Sequence, residues 1–138
     1  MAGRSFSVDI VTPDRVVLSD RAVSLVATGV EGSFGILANH APMLAELAPG
    51  EMHYRREANN ETVRLAVGGG FLQVADNQIS VLADTAERAE EIDVERARRA
   101  RDAANARLSQ TEGDFSADRE LAAADLARAK ARIKVAEG

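Results

Sequence analysis

Apolar residues recur at every second position in five short segments: FSVDIV (6–11), AVSLVAT (22–28), TVRLAV (62–67), FLQVA (71–75) and QISVLA (78–83). A period of two sends alternate side chains to opposite faces of a strand, so each segment offers one face to a core and the other to solvent or a partner. Turn formers punctuate the series at Thr12–Asp14, Gly29–Gly32, Pro49–Gly50, Asn59–Asn60 and Asp76–Asn77. Turn signals about 8 to 12 residues apart predict a sandwich or flattened barrel rather than alternating strands and helices. The run Gly68–Gly70 sits where a strand begins, a place where missing side chains let the backbone bend or approach another segment closely. His53, within the strand-like EMHYRR, reads as a surface residue.

The pattern changes between Val81 and Ala97, in VLADTAERAEEIDVERA, from strand composition to helix composition. All three prolines and eight of the ten glycines precede residue 94. Asp93 is placed to cap a first helix running to about Leu108, SQTEGDF (109–115) makes a turn, and Ser116 caps a second helix. Val94, Ala97, Arg101, Ala104 and Leu108 form a stripe on the first helix; Ala122, Leu126, Ala129, Ile133 and Ala136 form one on the second. Alanine seams let helices approach closely, but each methyl buries little area at roughly 25 cal/mol per Å², so such a hairpin is held weakly and can detach. The predicted fold is an all-β sandwich over residues 1–84, a connector over 85–93, and an antiparallel α-helical hairpin over 94–138.

Composition narrows the classes. With 138 residues, 46% of them hydrophobic, the chain can bury one modest core. No cysteine is present, which excludes disulfides and thiolate metal sites and suits a reducing compartment. No run approaches the roughly 20 apolar residues of a membrane span, and MAGRSFSVDI lacks the apolar core of a secretory signal, so a soluble or membrane-peripheral protein is expected. The net charge of −5 is uneven: residues 1–93 carry 7 Arg against 14 acids, while residues 94–138 carry 10 Lys plus Arg against 8 acids. A mildly basic hairpin suits an acidic partner, although solvation of helix surfaces also accounts for it. Five aromatics, none interleaved with a basic patch, argue against nucleic acid. His40 and His53 are the only histidines, and neither a G-x-S-x-G elbow, a phosphate loop nor a dinucleotide fingerprint occurs. No catalytic residue and no metal site is predicted.

Four segments, taken in order, resemble the epsilon subunit of F-type ATP synthases: FSVDIVTPDRVV, GSFGILANHAPML, VGGGFLQVADNQISVLADTAERAEEID, and two alanine-rich helices. The resemblance covers nearly the whole chain and implies a non-catalytic subunit of the central stalk. Its sandwich would clamp the gamma subunit to the ring of c subunits, so that proton-driven rotation reaches the catalytic head. Its hairpin would permit turnover when folded against the sandwich. Extended along gamma into the alpha/beta hexamer, it would block hydrolysis, presenting Arg128, Lys130, Arg132 and Lys134 to acidic segments. The expected location is the cytoplasmic face of a bacterial inner membrane, as a peripheral part of the complex.

The resemblance also implies site residues. Ser33 and His40 fall in the stretch that faces the c-ring, although Ala38 stands where many members have proline and Ser33 where some have an acid. Ile92, Asp93, Arg96 and Ala97 match the I/L-D-x-x-R-A motif of members that bind ATP, with Glu87 and Asp93 on the sugar and base side. Arg128 and Arg132, four residues apart on one helix, would join Arg96 around a triphosphate, for which guanidinium forks are well suited. Ala103 occupies a place where nucleotide-binding members can carry another base, with Arg101 nearby. No cofactor is required; ATP is the expected regulatory ligand. The same arginines also fit plain solvated helix surfaces paired with Asp125 or Glu137. A stand-alone sandwich-and-hairpin adaptor, or a small nucleotide-sensing module, fits the composition equally.

Overall fold

The computed structural model describes residues 4–110 and 117–138; most of the expected 109–115 turn and the Ser116 cap lie outside them. The described residues form nine strands, a 3-10 turn and two helices: β1 (Phe6–Val11), β2 (Val16–Gly29), β3 (Gly32–Leu37), β4 (Met43–Leu47), β5 (Gly50–Arg56), β6 (Thr62–Val67), β7 (Gly70–Ala75), β8 (Gln78–Ala83), β9 (Ala86–Arg88), the 3-10 turn Ala89–Glu91, α1 (Val94–Gln110) and α2 (Ala117–Glu137).

Two layers share the long strand β2. One layer is β4–β7–β8–β1 with the first half of β2; the other is β3, the second half of β2, β5, β6 and β9. Neighbours pair antiparallel except β1 and β8, which run parallel. A register shift between Ala22 and Ser24 marks where β2 passes from one layer to the other, as a bulged strand bends. Alternation along the strands builds the core: Val8, Ile10, Leu65, Leu72, Ile79 and Val81 are fully buried between the layers, with Phe6, Leu25, Ile36, Met52 and Tyr54 packed around them. Period-2 patterning thus produced the sandwich expected from the sequence.

The segment expected as a connector, 85–93, is partly structured. Ala86, Glu87 and Arg88 pair with Val67, Ala66 and Leu65 along the free edge of β6, satisfying backbone groups that an unpaired edge would leave open. Gly68–Gly70 makes this crossing possible. A Cβ on Gly70, whose φ is +129°, would lie 2.2 Å from the Leu82 carbonyl oxygen, and one on Gly68 would lie 2.0 Å from Thr85 Oγ1.

The helices form the expected hairpin, with α2 between α1 and the outer face of β5 and β6. That placement changes the apolar stripe. Ala122 and Ala129 are buried as expected, but Ala131 and Val135 are buried too, whereas Leu126, Ile133 and Ala136 are only half-buried. A helix covered on two sides buries two faces, so one stripe cannot describe it. The docking seam joins Ala131 and Val135 to Ala66, Ala89 and Ile92. Lys134 reaches Glu51 at 3.5 Å and Arg132 reaches Glu87 at 2.6 Å across the same seam. Between the helices, Arg107 bonds Asp125 at 2.7 Å and Arg98 bonds Glu137.

Candidate functional site

A cleft of about 490 Å³ opens where the sandwich, the 85–93 segment and the hairpin meet. Volumes of about 300–1,000 Å³ are usual for small-ligand sites. Its walls come from separate parts of the fold: the β1–β2 turn and the start of β9 on one side, the start of α1 and Arg132 of α2 on the other.

Local structure places Arg15, Glu91, Asp93 and Arg132 in the cleft. Thr12-Pro13-Asp14-Arg15 closes a tight turn in which the Thr12 N–H donates to the Arg15 carbonyl at 2.9 Å, with proline at the position that favours its fixed φ. That turn aims Arg15 at the connector, where its Nη2 donates to Glu91 Oε2 at 2.7 Å. The other Glu91 oxygen accepts the Arg88 backbone N–H at 2.9 Å. The Arg88 N–H and the Arg15 guanidinium hold the Glu91 carboxyl below the ordinary glutamate range, against the upward push of burial. Asp93 caps α1, accepting the Arg96 N–H at 3.1 Å, as its sequence position implied. Arg132, one turn from the C-terminal end of the docking seam, donates from Nε to Glu87.

The structure brings Glu87, Asp93, Arg96, Ala97 and Arg132 to this one cleft. Arg96 has no ion-pair partner among the described residues, whereas Arg132 is held by Glu87. Ile92 and Arg128 stand apart. Ile92 packs in the docking seam, and Arg128 bonds Asp125 at 3.0 Å and the Gly68 carbonyl at 3.4 Å. Sequence reading missed Arg15, Glu91 and Asp84. Arg15 is 76 residues from Glu91 along the chain, a separation that no local motif can bridge. Five carboxylates line the cleft, Asp14, Asp84, Glu87, Glu91 and Asp93, against the three guanidinium groups of Arg15, Arg96 and Arg132.

Ser33 and His40 lie at opposite ends of β3. Ser33 is exposed beside the β2–β3 turn, and His40 is half-buried past the other end. Strand rise separates Ser33 from Leu37 alone by roughly 13 Å. The loop after β3 is pinned: the Asn39 N–H donates to Asn77 Oδ1 at 2.7 Å, with Asn39 at φ 62° and Asn77 at φ 60°. His40 Nδ1 donates to the Ala41 carbonyl at 2.7 Å. Among the described residues no cluster of His and carboxylates fits a metal, and no helix is long and apolar enough to cross a membrane.

Comparison with known proteins agrees with this architecture. Two family models match end to end: the beta-sandwich domain of the ATP synthase delta/epsilon chain over residues 5–89, and its long alpha-helix domain over residues 90–137. Proteins named ATP synthase epsilon chain are 46% identical over 132 residues in Nitratidesulfovibrio vulgaris and in Moorella thermoacetica, covering 96% of both chains in each case. The epsilon chain of Anaeromyxobacter sp. (strain K) is 49% identical over 133 residues, covering 96% of this chain and 98% of that one. Among solved structures, a chain of the Euglena gracilis mitochondrial ATP synthase superposes with a TM-score of 0.80 at 23% identity, over 98% of this chain and 82% of that one. A chain from the Tetrahymena thermophila mitochondrial ATP synthase central stalk and c-ring gives 0.61 at 18% identity, over 94% and 95%. Sandwich and hairpin both match, in the order in which the strand and helix patterns ran along the sequence, and the chain belongs to the ATP synthase epsilon chain family.

Proposed function

We propose that this chain is a non-catalytic central-stalk subunit of a bacterial F-type ATP synthase, at the cytoplasmic face of the inner membrane. There the sandwich links the gamma subunit to the c-ring, and the hairpin governs ATP hydrolysis through the alpha/beta hexamer. The observation that carries this reading is the match of both halves of the chain to epsilon chains at 46–49% identity over 96% of its length. Ser33 and His40 remain the proposed c-ring contacts, as two separate points rather than one loop. Membranes lacking this chain should hydrolyse ATP without pumping protons, and adding the purified protein back should restore pumping. Pumping that is normal without the chain would contradict the coupling role.

The cleft supports a regulatory nucleotide. Arg96 and Arg132 would offer guanidinium groups to phosphate oxygens, and Glu87 and Asp93 would accept from the hydroxyl and amino donors of a ribose and base, while Arg128 stands behind Gly68. Because both walls are needed, a nucleotide would bind the docked hairpin better than the detached one. A hundredfold preference would stabilise docking by about 2.7 kcal/mol. The excess of carboxylates opposes a bare triphosphate, so magnesium should matter to affinity. Calorimetric titration of the full chain with Mg-free and Mg-bound ATP tests this, beside a variant with Arg96 and Arg132 changed to alanine. Saturable binding lost in the variant is the expected result; no binding at millimolar nucleotide would leave the arginines as parts of the hairpin surface.

A further inference from the structure

Resting on that nucleotide reading, we infer that Arg15 is the sandwich-side anion contact of the cleft, and that Glu91 is the internal acceptor from which the ligand recruits it. Arg96 and Arg132 belong to the hairpin; of the three guanidinium groups in the cleft, Arg15 alone belongs to the sandwich. Glu87 on β9 would meet the sugar end of the ligand, but without Arg15 its phosphates would be held by the helices alone and would add nothing to docking. A ligand that also engages Arg15 ties the two parts of the molecule together.

Arg15 is suited to exchange partners. Its side chain is 48% exposed and that of Glu91 33%, so the bond between them is screened by water and weakly held. Its backbone, by contrast, is fixed by the Thr12–Arg15 turn, including the Arg15 N–H to Thr12 Oγ1 bond at 3.3 Å. Glu91 does not depend on Arg15 alone, because its other oxygen keeps the Arg88 N–H. A phosphate oxygen offers Arg15 a more highly charged acceptor in the same cleft, with Asp14 and Asp84 as the nearby carboxylates that oppose it. The Arg15–Glu91 bond therefore competes with ligand. Removing the acid should strengthen binding, whereas removing the base should weaken it.

The test is calorimetric titration of the full chain with Mg-ATP in three forms: wild type, Arg15→Ala and Glu91→Gln. Glutamine still accepts the Arg88 N–H but carries no charge. Binding by wild type, weakened about tenfold in Arg15→Ala and tightened several-fold in Glu91→Gln, is the expected pattern. If the bond merely braces the connector, both variants weaken binding, and the inference is wrong. Unchanged affinity in both variants also overturns it while leaving the nucleotide reading intact. Failure of wild type to bind overturns both.

Discussion

Glu51 keeps its charge in a place where few carboxylates do. Only 9% of its side chain is exposed, yet Arg64 grips both oxygens, at 2.8 and 2.9 Å, and Lys134 and His53 approach to 3.5 Å. The Arg64 bonds hold its carboxyl below the ordinary value of 4.5 despite burial. A group with a depressed folded value stabilises the native state above its unfolded value and loses that contribution as pH falls through the folded one. Glu51→Gln should therefore cost about 2 kcal/mol near neutrality, and the difference from wild type should shrink as thermal melts are taken below pH 4.5. A difference that stays constant with pH would contradict the charge assignment. Gly70 is constrained by space instead. Gly70→Ala combines a positive φ with a clash against the Leu82 carbonyl, and should cost about 3 kcal/mol, lowering the melting temperature by roughly 10 °C. Gly69 beside it, with φ +112°, has a Cβ position 3.2 Å from Asp84 Oδ2, a side-chain atom, so alanine there meets strain without the backbone clash.

Elements divide into those legible in sequence and those created by packing. β1, β6, β7 and β8 followed from alternation, and both helices from the loss of Gly and Pro beyond residue 93, because these signals are local. β9 did not, since three residues carry no period; it exists because β6 presents an open edge. The first half of β2, Val16–Arg21, was also missed, as a strand crossing between layers does not keep one face buried. The same limit applies to the cleft. Asp93 and Arg96 were visible in a motif and Glu87 through the family resemblance, whereas Arg15 joins them only through the folded turn. The hairpin itself rests on few apolar contacts. Val135→Ala should weaken docking by about 1.5 kcal/mol, near tenfold in the docked fraction, measurable as faster proteolysis of α2 with the sandwich left intact. Docking should also weaken with added salt, since Arg132–Glu87 is about one-third exposed on each side. Salt-independent protection of α2 would mean that the apolar seam alone holds it.

In the molecule as a whole, among the described residues, the sandwich carries a hairpin attached by two ion pairs, the Arg128–Gly68 hydrogen bond and a five-residue apolar seam. The sandwich keeps its main core when the helices rearrange, because that core includes no helix residue and opening the seam uncovers Ala66, Ala89 and Ile92. The separation of roles makes a direct prediction about the assembled enzyme. The decisive measurement compares ATP hydrolysis and proton-driven synthesis in membrane vesicles rebuilt with the full chain or with residues 92–138 deleted. We predict equal synthesis and raised hydrolysis for the deletion, the outcome required by the proposed restraint of hydrolysis by the hairpin. Equal hydrolysis in the two preparations, at low proton-motive force, would contradict the regulatory role of the hairpin.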